Sequence, residues 1–159
     1  MATKADRQGY SKDGIKLVAN NKRAFHDYEI EGTTEAGVVL RGSEIKVLRA
    51  GKCVISGAHI RVVRGQAVMF GVQIPEYPWA HQFNHEPARE RKLLLHKREI
   101  LKLEVELRQK GSACVVTKLY FKGAIVKVEI AVGIGKKLHD KRETLKDRDA
   151  KREIARSIR

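Results

Sequence analysis

Apolar residues along this chain fall in short runs separated by glycine-containing breaks, and few stretches carry a helical period. Ile15–Ala19 is a short apolar patch ahead of the basic run Asn21-Lys22-Arg23. His26–Glu31 alternates, with Tyr28 and Ile30 on one side, which is the period of a strand. Gly32-Thr33-Thr34 has turn composition, and Ala36–Leu40 reads as the returning strand. Ser43 stands where an N-cap would precede a short helix over Glu44–Arg49; Ile45 and Leu48 share its face and Gly51 ends it. Cys53–Val63 and Gln66–Ile74 are strand candidates joined by the tight-turn pair Arg64-Gly65. Pro75–Pro87 holds all three prolines together with Tyr77, Trp79 and Phe83, and is a loop. Ala88–Leu95 and Lys97–Lys110 read as helices. In the second, Ile100, Leu103 and Leu107 line one side, and Gly111 is the C-terminal stop. Cys114–Phe121 and Ala124–Val132 flank a further hairpin signal at Lys122-Gly123.

About six short strands in antiparallel hairpins, with one short and one or two longer helices, predict a β-rich α+β fold. A small closed antiparallel barrel is the expected architecture, since closure leaves no long unpaired edge. The pattern changes after Ala131-Val132. The stretch Gly133–Arg159 has Leu138, Leu145, Ile154 and Ile158 as its widely spaced large apolar residues beyond Gly135, against ten basic and five acidic ones from Lys136 onward. Asp147/Lys151, Glu143/Lys146 and Asp149/Arg152 have helical pair spacing. Each such pair contributes only roughly 0.2–0.5 kcal/mol, against an ordering cost of about 1–2 kcal/mol per residue. A tail that is disordered when free and helical on a partner is therefore expected, with Arg148, Arg152, Arg156 and Arg159 as one basic ridge. Three segments result: a polar, disordered lead over residues 1–14, a β-rich body over 15–132, and a basic tail over 133–159.

Charge narrows the function. The 159 residues carry 33 Lys and Arg against 19 Asp and Glu, a net charge of +14. The usual partner of so positive a field is the phosphate backbone of nucleic acid. The N-terminus lacks the apolar stretch of a secretory signal, and no run has the length of a membrane span, so a cytoplasmic protein with no membrane partner is expected. Cys53 and Cys114 have no metal-type spacing and read as buried thiols in a reducing compartment. His81 and His85 are spaced as helix-borne metal ligands, but Pro78 and Pro87 bracket them, and no metal or other cofactor is expected. Gly133-Ile134-Gly135-Lys136-Lys137 departs from a phosphate-binding loop at both diagnostic positions, and no nucleophile–base pairing is recognisable. An enzyme is thus disfavoured. A basic ribosomal or general single-stranded RNA-binding protein remains as the alternative binding class.

Several runs together resemble the small protein B family, the tmRNA-binding factors of trans-translation. They are Asn21–Tyr28 (NKRAFHDY), Glu35-Ala36-Gly37, Gly42–Lys52 (GSEIKVLRAGK), Arg91–Ile100 (RKLLLHKREI), Leu119–Lys122 (LYFK) and Gly135–Arg142 (GKKLHDKR). The likeness runs in order from about Ile15 to the end of the chain. It implies an oligonucleotide-binding-type barrel that binds the tRNA-like domain of tmRNA. It also implies a tail that folds in the empty small-subunit decoding centre and mRNA path of a stalled ribosome. Elongation factor Tu is implied as a partner in the delivery complex, and a monomer is expected. Phe25 departs from a commonly basic family position, and so does Ile134.

The residues that fit this chemistry fall into two groups. On the body, Lys22 and Arg23 suit phosphate, while Asn21, His26 and Tyr28 suit an exposed nucleotide. His26 as a structural histidine is the competing reading. Glu35, repelled by phosphate, should meet a donor such as a guanine edge or a ribose 2′-hydroxyl; a turn-adjacent surface charge is its plain alternative. The resemblance places Leu94 and Lys127 at the tmRNA surface, although Leu94 read alone would be core. In the tail, Lys136, Lys137, His139, Asp140, Lys141, Arg142, Lys146, Arg148, Lys151 and Arg152 are the candidate ribosome contacts. Trp79 and Phe83 are either base-stacking rings or a packed lid over the barrel end.

Overall fold

The structure, a computed structural model, describes residues 14–157, with the backbone alone at 138–141, 143, 144 and 157. The expected disordered lead lies outside the described residues except for Gly14. In chain order the elements are β1 (Ile15–Asn20), α1 (Lys22–Asp27), β2 (Tyr28–Val38), α2 (Gly42–Arg49), β3 (His59–Val63) and β4 (Gln66–Phe70). After a long loop with one 3₁₀ turn at His81–Phe83 come β5 (Arg91–Leu94), α3 (Lys97–Leu107), β6 (Ser112–Lys122), β7 (Ile125–Gly135) and α4 (Leu138–Ser157).

The strands form one antiparallel sheet in the order β1-β6-β3-β4-β5-β2-β7, and β7 also pairs with β6. That last pairing closes six strands into a ring and leaves β1 along the outside of β6. Two hairpin turns expected from the residues are present. Arg64 (φ 49°) and Gly65 (φ 71°) both adopt the left-handed conformation between the paired residues Val63 and Gln66, as a type I′ turn requires. Gly123 (φ 63°) opens the two-residue loop between Lys122 and Ile125.

Other expectations are corrected. The apolar patch at Ile15 is a strand, because it lies against β6 with Ile15 opposite Lys122. His26 is in a helix, not a strand: Asn21 caps α1 by accepting from the Ala24 amide at 3.2 Å. Gly32–Thr34 is no turn. β2 runs through it because β7 pairs alongside from Tyr28 to Gly37, and a register shift between Ile30 and Gly32 absorbs the irregularity. The strand expected over Cys53–Val63 begins only at His59, with an isolated bridge from Val54 to Gln73. The residue at the N-cap of α2 is Arg41 rather than Ser43. The helix expected over Ala88–Leu95 is instead the strand β5, held between β4 and β2.

β5 misleads because its alternation is carried by an arginine. Arg91 and Leu93 are buried while Lys92 and Leu94 face out. Arg91 is tolerated inside because each of its three guanidinium nitrogens is hydrogen-bonded. Its Nε donates to Glu44 Oε1 at 2.9 Å, and its terminal nitrogens donate to the carbonyls of Val72, Arg89 and Pro87 at 2.7, 2.9 and 3.0 Å. Glu44, also fully buried, accepts further from Arg89 and from the Arg41 amide at 2.6 Å. Nearby, buried His85 donates from Nε2 to the Ile74 carbonyl (3.0 Å), so its Nδ1 accepts from the Ser43 hydroxyl (2.9 Å). This network ties the 72–90 loop and β5 to α2.

The core fills the ring with Ala36, Ile60, Met69, Leu93, Val116, Leu119, Val128 and Ile130. Val47 and Leu48 of α2 and Ile100 and Leu103 of α3 join the same cluster. The end of β7 needs a glycine. A Cβ on Gly133 would stand 2.6 Å from the Glu29 carbonyl oxygen and 3.2 Å from Tyr28 Cβ. Gly133 is therefore a close-approach residue inside the sheet. Gly133→Ala should destabilise the protein by about 1–3 kcal/mol, the usual scale of overpacking. Thermal denaturation measures it, and a midpoint equal to that of the unsubstituted protein would contradict the close contact.

Candidate RNA interface

Glu35 on β2 faces the β6–β7 hairpin. Its Oε2 accepts from the Tyr120 hydroxyl at 2.5 Å, and its Oε1 lies 3.3 Å from Lys122 Nζ and 3.7 Å from Lys127 Nζ. The Tyr120 hydrogen bond, aided by the two ammonium groups, holds the Glu35 carboxyl below its ordinary value despite partial desolvation. Burial, reinforced by the same carboxylate, pushes the Tyr120 hydroxyl up, so it remains a donor. Glu35 is thus already met by protein donors, Tyr120 and Lys122, with Lys127 beside them. What reaches solvent is a pair of lysines converging on one carboxylate.

Leu94 completes this patch. It is 56% exposed, its Cβ stands 3.1 Å from where a Cβ on Gly37 would be, and it flanks Gly37 on the opposite edge of β2 from Lys127. Glu35, Leu94 and Lys127, far apart in sequence, line one groove of about 680 Å³ with Lys92, His96 and Lys97. Tyr120 and Lys122 are members of the patch to which sequence reasoning assigned no role. Their signals were the Leu119–Lys122 run of the family resemblance and alternation along β6, which puts Tyr120 and Lys122 on one side.

The second group gathers on α1. Asn21 uses both ends of its amide internally, accepting from the Ala24 amide and donating to the Val116 carbonyl at 3.0 Å. His26 Nδ1 and Arg23 Nε both bond Asp27, at 3.0 and 3.2 Å. Tyr28 packs beside Ala24, Val115 and Ala131. Lys22 and Phe25 are exposed. The helix end therefore presents cations and rings around Asn21, and Asn21 itself is a structural cap. This group does not meet the Glu35 patch: Tyr28 pairs with Gly135 at one end of β2, and Gly37 with Lys127 at the other.

The tail residues lie on or just before α4. All described side chains from Leu145 to Arg156 are exposed, including Lys146, Arg148, Lys151 and Arg152, and Asp149 approaches Arg152 at 3.8 Å. Lys136 donates its amide to the Asp27 carbonyl at 2.9 Å, which sets where the tail leaves the body beside α1. Arg142 is exposed, whereas the side chains of His139, Asp140 and Lys141 lie outside the described residues. Among the described residues no cluster of His, Cys, Asp or Glu is arranged to hold a metal ion, and no helix is long and apolar enough to cross a membrane.

Comparison with known proteins gives this geometry a family. The chain is 47% identical over 145 residues to the SsrA-binding protein of Pelotomaculum thermopropionicum, covering 91% of this chain and 95% of that one. It is 48% identical over 146 residues to that of Syntrophotalea carbinolica, covering 92% and 97%. It is 49% identical over 144 residues to that of Shouchella clausii, covering 91% and 92%. A chain in a solved structure described as "tmRNA-SmpB: a journey to the center of the bacterial ribosome" superimposes with a TM-score of 0.64 at 41% identity, covering 76% of this chain and 85% of that one. The sequence profile of the SmpB protein matches residues 18–159, and this chain belongs to the SmpB protein family.

Proposed function

We propose that this chain is a tmRNA-binding protein of trans-translation. It binds the tRNA-like domain of the RNA with its body and uses its basic tail on the stalled ribosome. The observation that carries the reading is the convergence of Lys122 and Lys127 on Glu35 beside exposed Leu94. The Glu35 carboxylate gathers two ammonium groups without cancelling their joint positive charge, and an apolar side chain lining the same groove suits an unstacked base. Glu35 acts by orienting those lysines. The closed ring fits an oligonucleotide-binding-type barrel, whose faces are suited to single-stranded or looped RNA. The α1 group (Asn21, Lys22, Arg23, His26, Tyr28) offers a second contact surface at the opposite end of β2, with Asn21 holding the helix in place.

The body over residues 15–132, with the last three residues of β7, and the tail from Lys136 divide the work. The tail, with Lys136, Lys137, His139, Asp140, Lys141 and Arg142 leading, enters the small-subunit decoding centre and mRNA path. Delivery takes place with elongation factor Tu, in the cytoplasm, and with the protein as a monomer. It acts by binding rather than by catalysis.

Lys127→Ala should weaken tmRNA binding roughly tenfold and lower the slope of log affinity against log salt by about 0.7–0.9, one phosphate contact. Glu35→Ala should weaken binding at unchanged slope, because no phosphate cation is removed. Titration of tmRNA at several salt concentrations, with an unrelated structured RNA as control, reads both. Equal affinity for the two RNAs would instead indicate a general RNA-binding protein.

A further inference from the structure

Trp79 and Phe83 are 76% and 79% exposed, so among the described residues none forms the lid relationship that two large rings on a loop suggest. Nor is the loop that carries them loose. Asn84 clamps it by accepting from the Tyr77 amide at 3.0 Å and donating to the Tyr77 carbonyl at 2.8 Å. His85 anchors it to α2 from the buried side, and Lys46 covers the Tyr77 ring at 5.0 Å. Between the two rings His81 is held at φ 44°, outside the range most residues adopt. The rings are therefore presented on a framework that is already ordered, so little freedom remains to be lost on binding.

The charge around them is opposite to that of the whole protein. Against a net +14, the stretch 75–90 carries Glu76, Glu86 and Glu90, all exposed, and its single arginine, Arg89, is engaged by buried Glu44. Three exposed carboxylates on the same stretch as the two rings repel phosphate and attract cations. Exposed tryptophan is also the best face for a lysine or arginine of a partner, and aromatic anchors within a charged rim are the usual energetic centre of a protein interface.

We propose that the 75–90 loop docks a basic segment of a ribosomal protein, with Trp79 and Phe83 as anchors and Glu76, Glu86 and Glu90 as the rim. The inference rests on the ribosome association put forward above. The test therefore measures tmRNA binding separately.

The affinity of the full-length protein–tmRNA complex for purified ribosomes is compared with that of the Trp79→Ala/Phe83→Ala protein and of the Glu76→Gln/Glu86→Gln/Glu90→Gln protein. Both variants alter exposed side chains only and should fold normally. Ribosome affinity should fall about tenfold or more for the first and severalfold for the second, with affinity for free tmRNA unchanged in both. A photo-crosslinker at Gln82 should attach to a Lys- or Arg-bearing segment of a ribosomal protein. Unchanged ribosome affinity in the first variant, tighter ribosome binding in the second, or adducts confined to ribosomal RNA or to a second copy of this chain would each overturn the proposal. Failure of the unsubstituted protein to bind tmRNA would instead remove the function on which it rests.

Discussion

A chain truncated before Lys136 should bind tmRNA with affinity within about twofold of the full-length protein, apart from the share of salt-dependent attraction that the tail's charge provides. It should nonetheless lose peptide tagging on ribosomes that lack mRNA beyond the peptidyl site. The expectation follows from how the two parts are built. The Glu35, Leu94, Lys127 patch is assembled from β2, β5 and β7, and among the described residues none of the tail lines it. The tail, in contrast, is a 20-residue helix whose described side chains from Leu145 onward are exposed. None of the described side chains from Leu145 to Arg156 is buried, and the i, i+3 and i, i+4 pairs contribute only a few tenths of a kcal/mol each. Such a segment is expected to be held as a helix by a partner, with phosphates along Arg148, Arg152 and Arg156 supplying the stabilisation there. Extended, residues 136–159 reach roughly 80 Å; helical, about 36 Å. The first length allows a search from a body seated on tmRNA, and the second is a compact rod for an empty channel. Substituting His139, or Asp140, Lys141 and Arg142 together, should reproduce most of the loss. Full tagging by the truncated protein would rule the division of labour out.

Glu44→Gln should lower stability by about 3–5 kcal/mol, the scale for breaking a buried ion pair while leaving its partner charged, or on the order of 10–15 °C in Tm. The amide would meet two guanidinium groups and the Arg41 amide with one acceptor and two unwanted donors. Burial alone would push the Glu44 carboxyl up, but Arg89, the Arg41 amide and Arg91 outweigh it and hold the group below its ordinary 4.5. A carboxyl lowered in this way contributes stability that is fully present above 4.5 and is lost as pH falls through its folded value. Unfolding in acid should therefore be steeper for the unsubstituted protein than for Glu44→Gln below about pH 4.5. Scanning calorimetry from pH 3 to 7 (roughly the window in which carboxylates titrate) measures both effects. A Tm loss below about 3 °C would mean that the network is not a structural centre. Because the same network fixes the 72–90 loop, the variant should also increase proteolysis near Trp79.

Hairpins and helices with a strong local signature were legible in the residues. Arg64-Gly65 and Gly123 mark turns whose backbone conformation excludes most alternatives, and the period of Ile100, Leu103 and Leu107 is helical at any tertiary context. The cation surplus and the composition break before the tail are likewise properties of the chain itself. Three things were decided only by packing. Residues 88–95 contain enough leucine and arginine for a helix; they extend because β4 and β2 supply hydrogen bonds on both edges and Glu44 neutralises an arginine that must point inward. Gly32–Thr34 has turn composition, yet continues as strand because β7 pairs along its whole length. Leu94, apolar and flanked by leucines, faces solvent because its neighbours Leu93 and Arg91 take the inner positions.

The candidate site divides the same way. Individual residues could be named from their types and from family resemblance, since a lysine or a tyrosine announces its chemistry wherever it lies. That Glu35 meets Tyr120, Lys122 and Lys127, that Asn21 is a cap rather than a free contact, and that Trp79 and Phe83 stand uncovered are matters of long-range pairing. Local sequence determined which groups and which short elements exist; closure of the six-strand ring determined which of them meet, because contacts between residues distant in the chain arise only once non-local strand pairing has been made.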